Sequence, residues 1–125
     1  SECWFHLILT PFDAILHCSY YPINNERQYQ DYLTDAFELV DKHKVRANFI
    51  DRYPIEKKGI YSGFMFDIKG PVASPRQFFL TDSSTHFFRA SLYFDQKVNT
   101  DSLSIVIDFI DNDLKKILES FAWKS

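Results

Sequence analysis

Three features of this chain predict an α+β fold. Two stretches carry apolar residues at helical spacing, and about six runs of strand length are rich in β-branched and aromatic residues. The connections are too short for parallel crossovers except through the first helix. The order β-β-α-β-β-β-β-α then gives an antiparallel sheet of about six strands with helices packed on its faces. The 125 residues form one domain, 1–125, long enough to bury a core. Thirteen Phe, seven Tyr and two Trp against three Gly suit strands under helices and exclude a disordered chain.

The first two strands are CWFHLILT (3–10) and AILHCSYY (14–21), turning at Pro11-Phe12-Asp13-Ala14. This turn sets Leu7 opposite Cys18. Cys3 then lies on the order of 13 Å along the ladder from Cys18, whereas a disulfide needs Cα atoms within about 7 Å. Both cysteines are therefore read as small half-buried hydrophobes. PINNE breaks the strand pattern, and Asn24 or Asn25 caps a helix. From Glu26 to about His43, the positions Tyr29, Tyr32, Leu33, Ala36, Phe37 and Val40 make a helical stripe. Lys42, His43 and Lys44 bring positive charge to its C-terminus.

RANFIDRY (46–53) reads as a strand ended by Pro54, and EKKG (56–59) as a charged turn. In IYSGFMFDI (60–68), Ile60, Phe64, Phe66 and Ile68 share one face. KGPVASP (69–75) has the strongest breaker chemistry and reads as a loop. RQFFLT (76–81) and HFFRASLYF (86–94) are the last strands. After the polar DQKVNTD, Thr100 or Asp101 caps a second helix. Its broad apolar face runs through Leu103, Val106, Ile107, Ile110, Leu114, Ile117, Leu118 and Phe121.

Charge and hydropathy exclude several functions. A net charge of −3 and a pI near 5.7 leave no basic face for nucleic acid. No window reaches the roughly 18 apolar residues of a membrane span. No charged segment followed by an apolar one opens the chain, so an export signal is expected to have been removed or to lie upstream.

Within TDSSTHFFRASLYF (81–94), Asp82, Ser83, Ser84 and His86 are the residue types of a hydrolase site. Face matching gives another reading. A three-residue loop, Ser83-Ser84-Thr85, pairs Asp82 with His86, Leu80 with Phe88 and Phe78 with Ala90, which keeps the apolar side continuous. A two- or four-residue loop would mix the faces. No G-x-S-x-G elbow occurs. The segment is therefore expected to be a turn.

His6 and His17 fall on one face as diagonal neighbours in the first hairpin, too few for a zinc site. Asp108, Asp111 and Asp113 sit inside the second helical stripe without calcium-loop spacing, and are read as a solvated face. Lys57 and Lys58 are turn charges. No metal or cofactor is expected. Arg89 stands out as a cation within an apolar strand, on the face of Phe79, Phe87 and Tyr93; it either stacks on those rings or presents charge at a surface pocket.

FDIKGPVASPRQFFLTDSSTHFFRASLYF (66–94), NTDSLSIVIDFI (99–110) and ILESFAW (117–123) resemble the gliding-motility lipoprotein GldD family of Bacteroidota. ECWFHL, HCSYYPINN and DKHKVRAN extend the likeness over nearly the whole chain. Phe88-Arg89-Ala90 departs from the family's Leu-Arg-Gly. Cys3 matches an internal family position, not the lipidated cysteine. The native N-terminal lipoprotein segment is expected to lie outside this sequence, with one or two strands of the sheet. The resemblance implies a lipid-anchored protein of the cell envelope, on the periplasmic side, associated with gliding and type IX secretion. The ending also resembles the Mog1/PsbP-like α/β/α sandwich, whose members are mostly binding or assembly-accessory proteins.

The expected function is non-enzymatic binding of other motility or secretion envelope proteins. Membrane contact is expected only through the absent anchor. Candidate partner-binding residues are Lys69, Asp82, His86 and Arg89, with Tyr53, Tyr61 and Trp123 as exposed aromatics. Two alternatives stay open: an envelope hydrolase using Asp82, Ser84, His86 and Arg89, and a small-ligand or lipid-binding module.

Overall fold

The computed structural model describes the backbone of residues 3–9, 14–42, 49–70, 74–94 and 100–123; side chains are described within 14–93 of those spans and within 106–123. The elements are β1 (Cys3–Leu9), β2 (Ala14–Pro22), α1 (Glu26–Asp41), β3 (Phe49–Lys57), β4 (Tyr61–Lys69), β5 (Arg76–Thr81), β6 (His86–Phe94) and α2 (Thr100–Ser120). All strand pairs are antiparallel, in the order β1-β2-β6-β5-β4-β3. The part of the sheet with described side chains is five strands, β2 to β6, against the roughly six expected; β1 adds backbone along the outer side of β2.

The two-residue period of each strand sends alternate side chains to different helices. Leu16 and Cys18 of β2, Tyr61 and Met65 of β4, Phe78 and Leu80 of β5, and Phe88, Ala90 and Leu92 of β6 pack with Ile110 and Leu114 of α2. Phe66, Ile68, Phe79 and Phe87 face the other way, against Ala36 and Val40 of α1. Aromatic rings fill both layers; in the second, Phe37 of α1 meets Phe64, Phe66 and Phe79 at 5.4–5.8 Å, each nearly edge-on.

α1 begins as expected. Asn25 has extended backbone, and its Oδ1 accepts the Gln28 N–H at 2.9 Å, while Gln28 Oε1 accepts from the Asn24 N–H. Its last helical residue is Asp41, with Lys42 as C-cap. His43, Lys44, the centre of the 69–75 loop, the Cys3 and His6 side chains, and the expected caps and Leu103 of α2 lie outside the described residues or side chains.

Three expectations are corrected. In the first hairpin Leu7 pairs with Leu16, not Cys18; Phe5 faces Cys18, Cys3 faces Tyr20, and His6 lies directly opposite His17. The pairing is displaced by two residues from the expected one, which keeps the same side chains on each face. Second, Pro54 does not end its strand: β3 continues to Lys57, with Pro54 opposite Phe64. β3 borders the sheet, and a border strand needs only alternate amides for its single neighbour. Third, Ile60 is not on the Phe64 face. It lies in the turn before β4, where Gly59 takes φ +78°, and packs on the α2 side.

Candidate functional site

The 82–86 segment is the turn that the face matching predicts. Thr81 pairs with Phe87, Leu80 with Phe88, Phe79 with Arg89 and Phe78 with Ala90. Asp82 Oδ1 accepts backbone N–H groups from Ser84, Thr85 and His86 at 3.1, 2.8 and 2.8 Å. Burial alone would raise the Asp82 carboxyl, but these three donors outweigh it and hold it below the ordinary value. Ser83 adopts φ +71°, and its N–H is accepted by Thr81 Oγ1, whose own hydroxyl donates to the His86 carbonyl. Ser84 is exposed. The carboxylate therefore serves the backbone of its own turn.

His86 points to the α2 side. Its Nδ1 lies 2.5 Å from Tyr20 Oη, and its ring stacks on Trp123, centroids 4.7 Å apart and 15° from parallel. The histidine thus meets a hydroxyl, but the phenol of Tyr20 instead of Ser84. Burial, aided by the Asp82 charge, pushes that phenol up, away from the phenolate a nucleophile would need. Trp123 Nε1 donates to the Ile60 carbonyl at 2.6 Å, Tyr61 Oη to Leu118 O at 2.9 Å, and Lys57 Nζ to Glu119 O and Phe121 O, both at 2.8 Å. A lysine and a tyrosine of the sheet thereby cap the carbonyl end of α2.

Arg76 is a tie that the sequence reading missed. Its Nε and Nη2 grip Asp111 of α2 at 3.0 and 3.2 Å, so Asp111 is not simply part of a solvated helix face. Asp67, opposite Arg76 in the β4–β5 ladder, lies 3.1 Å from the same Nε. Yet Asp67 Oδ1 has no hydrogen bond, because the Nε proton goes to Asp111. Burial raises the Asp67 carboxyl; Arg76 offsets this only in part, and Asp111 adds to it. The short distance and the raised value agree once the proton's direction is known.

Arg89 lies on the opposite, α1 side. Its Nη2 reaches Tyr21 Oη at 3.3 Å and its guanidinium carbon lies 5.7 Å from the Tyr21 ring centroid, so stacking is present, though on a tyrosine of β2. It borders a recess of about 590 Å3 together with His17, Ser19, Lys42, Gln77 and Ser91. Burial pushes the free Cys18 thiol up to about 12, which makes it inert.

The four candidate residues do not converge. Asp82 and His86 share the β5–β6 turn, Lys69 ends β4 beyond the Asp67–Arg76 pair at the far end of the sheet, and Arg89 faces the other helix. Of the aromatics expected to be exposed, Tyr53 is (43%), Trp123 is half-buried and Tyr61 is buried; Phe49 and Phe109 are exposed instead. No cluster of three metal-ligating side chains occurs among the described residues, and no described helix is long and apolar enough to cross a membrane.

These features define a small α+β domain, an antiparallel sheet between two helices, whose polar clusters mostly tie turns and helix ends together. The chain belongs to the gliding motility lipoprotein GldD family, whose model matches residues 1–123. No match was found among curated proteins or among solved structures. Membership makes the protein an accessory of gliding motility and a lipoprotein of the cell envelope.

Proposed function

We propose that the protein acts without catalysis, by binding other envelope proteins of the gliding and type IX secretion machinery from the periplasmic side. The family match over residues 1–123 carries this reading. Geometry supports it: Asp82 holds its own turn, and His86 is held between Tyr20 and Trp123. Arg89, the fourth member of the hydrolase set, stands on the other face of the sheet. The same reading takes the layering to be Mog1/PsbP-like, an analogy of fold that adds little about function.

The docking surface we favour includes the exposed 83–85 turn and the rings of Phe49 and Tyr53 on β3, which are 52% and 43% exposed. The test places a photo-crosslinking side chain at Tyr53 or Ser84 in the native envelope. The expected product contains another motility or secretion protein. Adducts at neither position, or only with bulk envelope proteins, would defeat the reading.

A further inference from the structure

The sheet is covered on both faces, so its central strands should be apolar on both. On the α1 side they are not. His17 of β2, Ser91 of β6 and Gln77 of β5 form one row across three adjacent strands, and Ser19 with Arg89 begins the next row. These residues line the recess of about 590 Å3, which Lys42 borders at the C-terminal end of α1. That volume is in the range of small-ligand sites.

The donors there exceed their partners. Gln77 is only 4% exposed, yet its amide makes no hydrogen bond among the described residues. Neither amide atom is among the fully buried side-chain atoms that lack a partner, so the amide opens into the recess and is available to a ligand. Arg89 has only the hydroxyl and ring of Tyr21, and no carboxylate lies within ion-pair reach among the described residues. It also borders a smaller recess shared with Asp35, whose carboxylate stays beyond that reach. No described carboxylate lines the larger recess, in a chain of net charge −3. Lys42 offsets the negative end of α1, which would otherwise repel an anion.

We infer that this recess is a binding site for a small organic anion, its phosphate or carboxylate head group held by the Arg89 fork, with the Gln77 amide and the Ser19 and Ser91 hydroxyls completing the shell. A planar guanidinium suits either head group in a two-point grip. The row of neutral donors distinguishes the site from a plain basic patch.

The test titrates the isotope-labelled chain with sodium phosphate, and separately with sodium acetate, at ionic strength held constant by sodium chloride. Saturable amide shifts at Ser19, Gln77, Arg89 and Ser91, with Kd on the order of millimolar, are expected in at least one arm. The tighter arm then separates a phosphate ester from a carboxylic acid as the natural ligand. Arg89→Gln should weaken the tighter probe by about tenfold or more, and Lys42→Gln by about threefold. Lys58→Gln, in the turn before β4, should change nothing. Shifts that never saturate, or shifts spread over all surface cations, overturn the inference, as does an unchanged Kd in Arg89→Gln. Should Arg89→Gln fail to fold, an unchanged Kd in Lys42→Gln overturns it instead, since Lys42 is exposed.

Discussion

The two faces of this sheet are built from alternate residues of the same strands, yet they differ in kind. Toward α2 the strands offer Leu16, Phe78, Leu80, Ala90 and Leu92, each no more than 2% exposed, and the helix end is tied down by Lys57, Tyr61 and the Trp123 indole. Toward α1 the aromatics gather at one end, where Phe79 stacks on Phe87 at 5.3 Å, and the polar rows take the other. The difference separates duties: one face supplies cohesion, while the other gives up burial where it keeps donors.

Substitutions can break or sharpen that contrast. The largest effect belongs to the cohesive face: Leu80→Ala should cost about 2–5 kcal/mol in urea unfolding, because its fully enclosed site cannot collapse around the gap. Gly63→Ala should follow at about 1–3 kcal/mol. An added Cβ would lie 1.8 Å from the Phe79 carbonyl oxygen, and a backbone atom yields poorly. Lys57→Met, which uncaps the last carbonyls of α2 but keeps an apolar stem, should cost about 1 kcal/mol in the same measurement.

On the α1 face the sign should reverse. Gln77→Leu is expected to be neutral or stabilising by up to about 1 kcal/mol, since it replaces an amide that opens into the recess with apolar surface against the sheet. A loss as large as that of Leu80→Ala would show that Gln77 is a packing residue, and the contrast would fail.

The smallest effects concern acid. Asp82 sits below its ordinary value when folded, so its stabilisation is present above pH 3.8 and disappears as pH falls through the lowered folded value. Asp67 is raised, so its contribution is most favourable below 3.8 and is lost as pH climbs through the raised value. Relative to the parent, Asp82→Ala should therefore lose stability at neutral pH and regain parity in acid. Asp67→Asn should gain at neutral pH and lose its advantage in acid. Urea midpoints from pH 2 to 7 would show the two trends diverging; parallel curves would refute the assignment.

Much of this was readable in the chain itself, for reasons that can be located. The β5–β6 hairpin followed from parity alone, because only a three-residue loop keeps Leu80 and Phe78 beside Phe88 and Ala90. Both helices followed from spacing. Local rules fail at prolines: Pro54 reads as a stop because edge and interior strands look alike until the sheet order is known. The Arg76–Asp111 grip joins residues 35 apart, and nothing in either segment says that this helix face lands on that strand. Arg89 was conspicuous, but its companions were not. Gln77 and Ser91 become neighbours only through the hairpin register, and His17 and Ser19 only through the β2–β6 pairing, which brings together distant parts of the chain.

Pro54 has one more effect. β3 has no neighbour on its outer flank among the described strands. Such a flank invites a second molecule to dock strand to strand and start a fibre. A ring with no amide proton midway along it, between the charged Arg52 and Glu56, leaves any incoming chain short of a bond and facing ionic groups. The same residue that obscures the strand in the sequence thus makes its open flank a poor template for pairing.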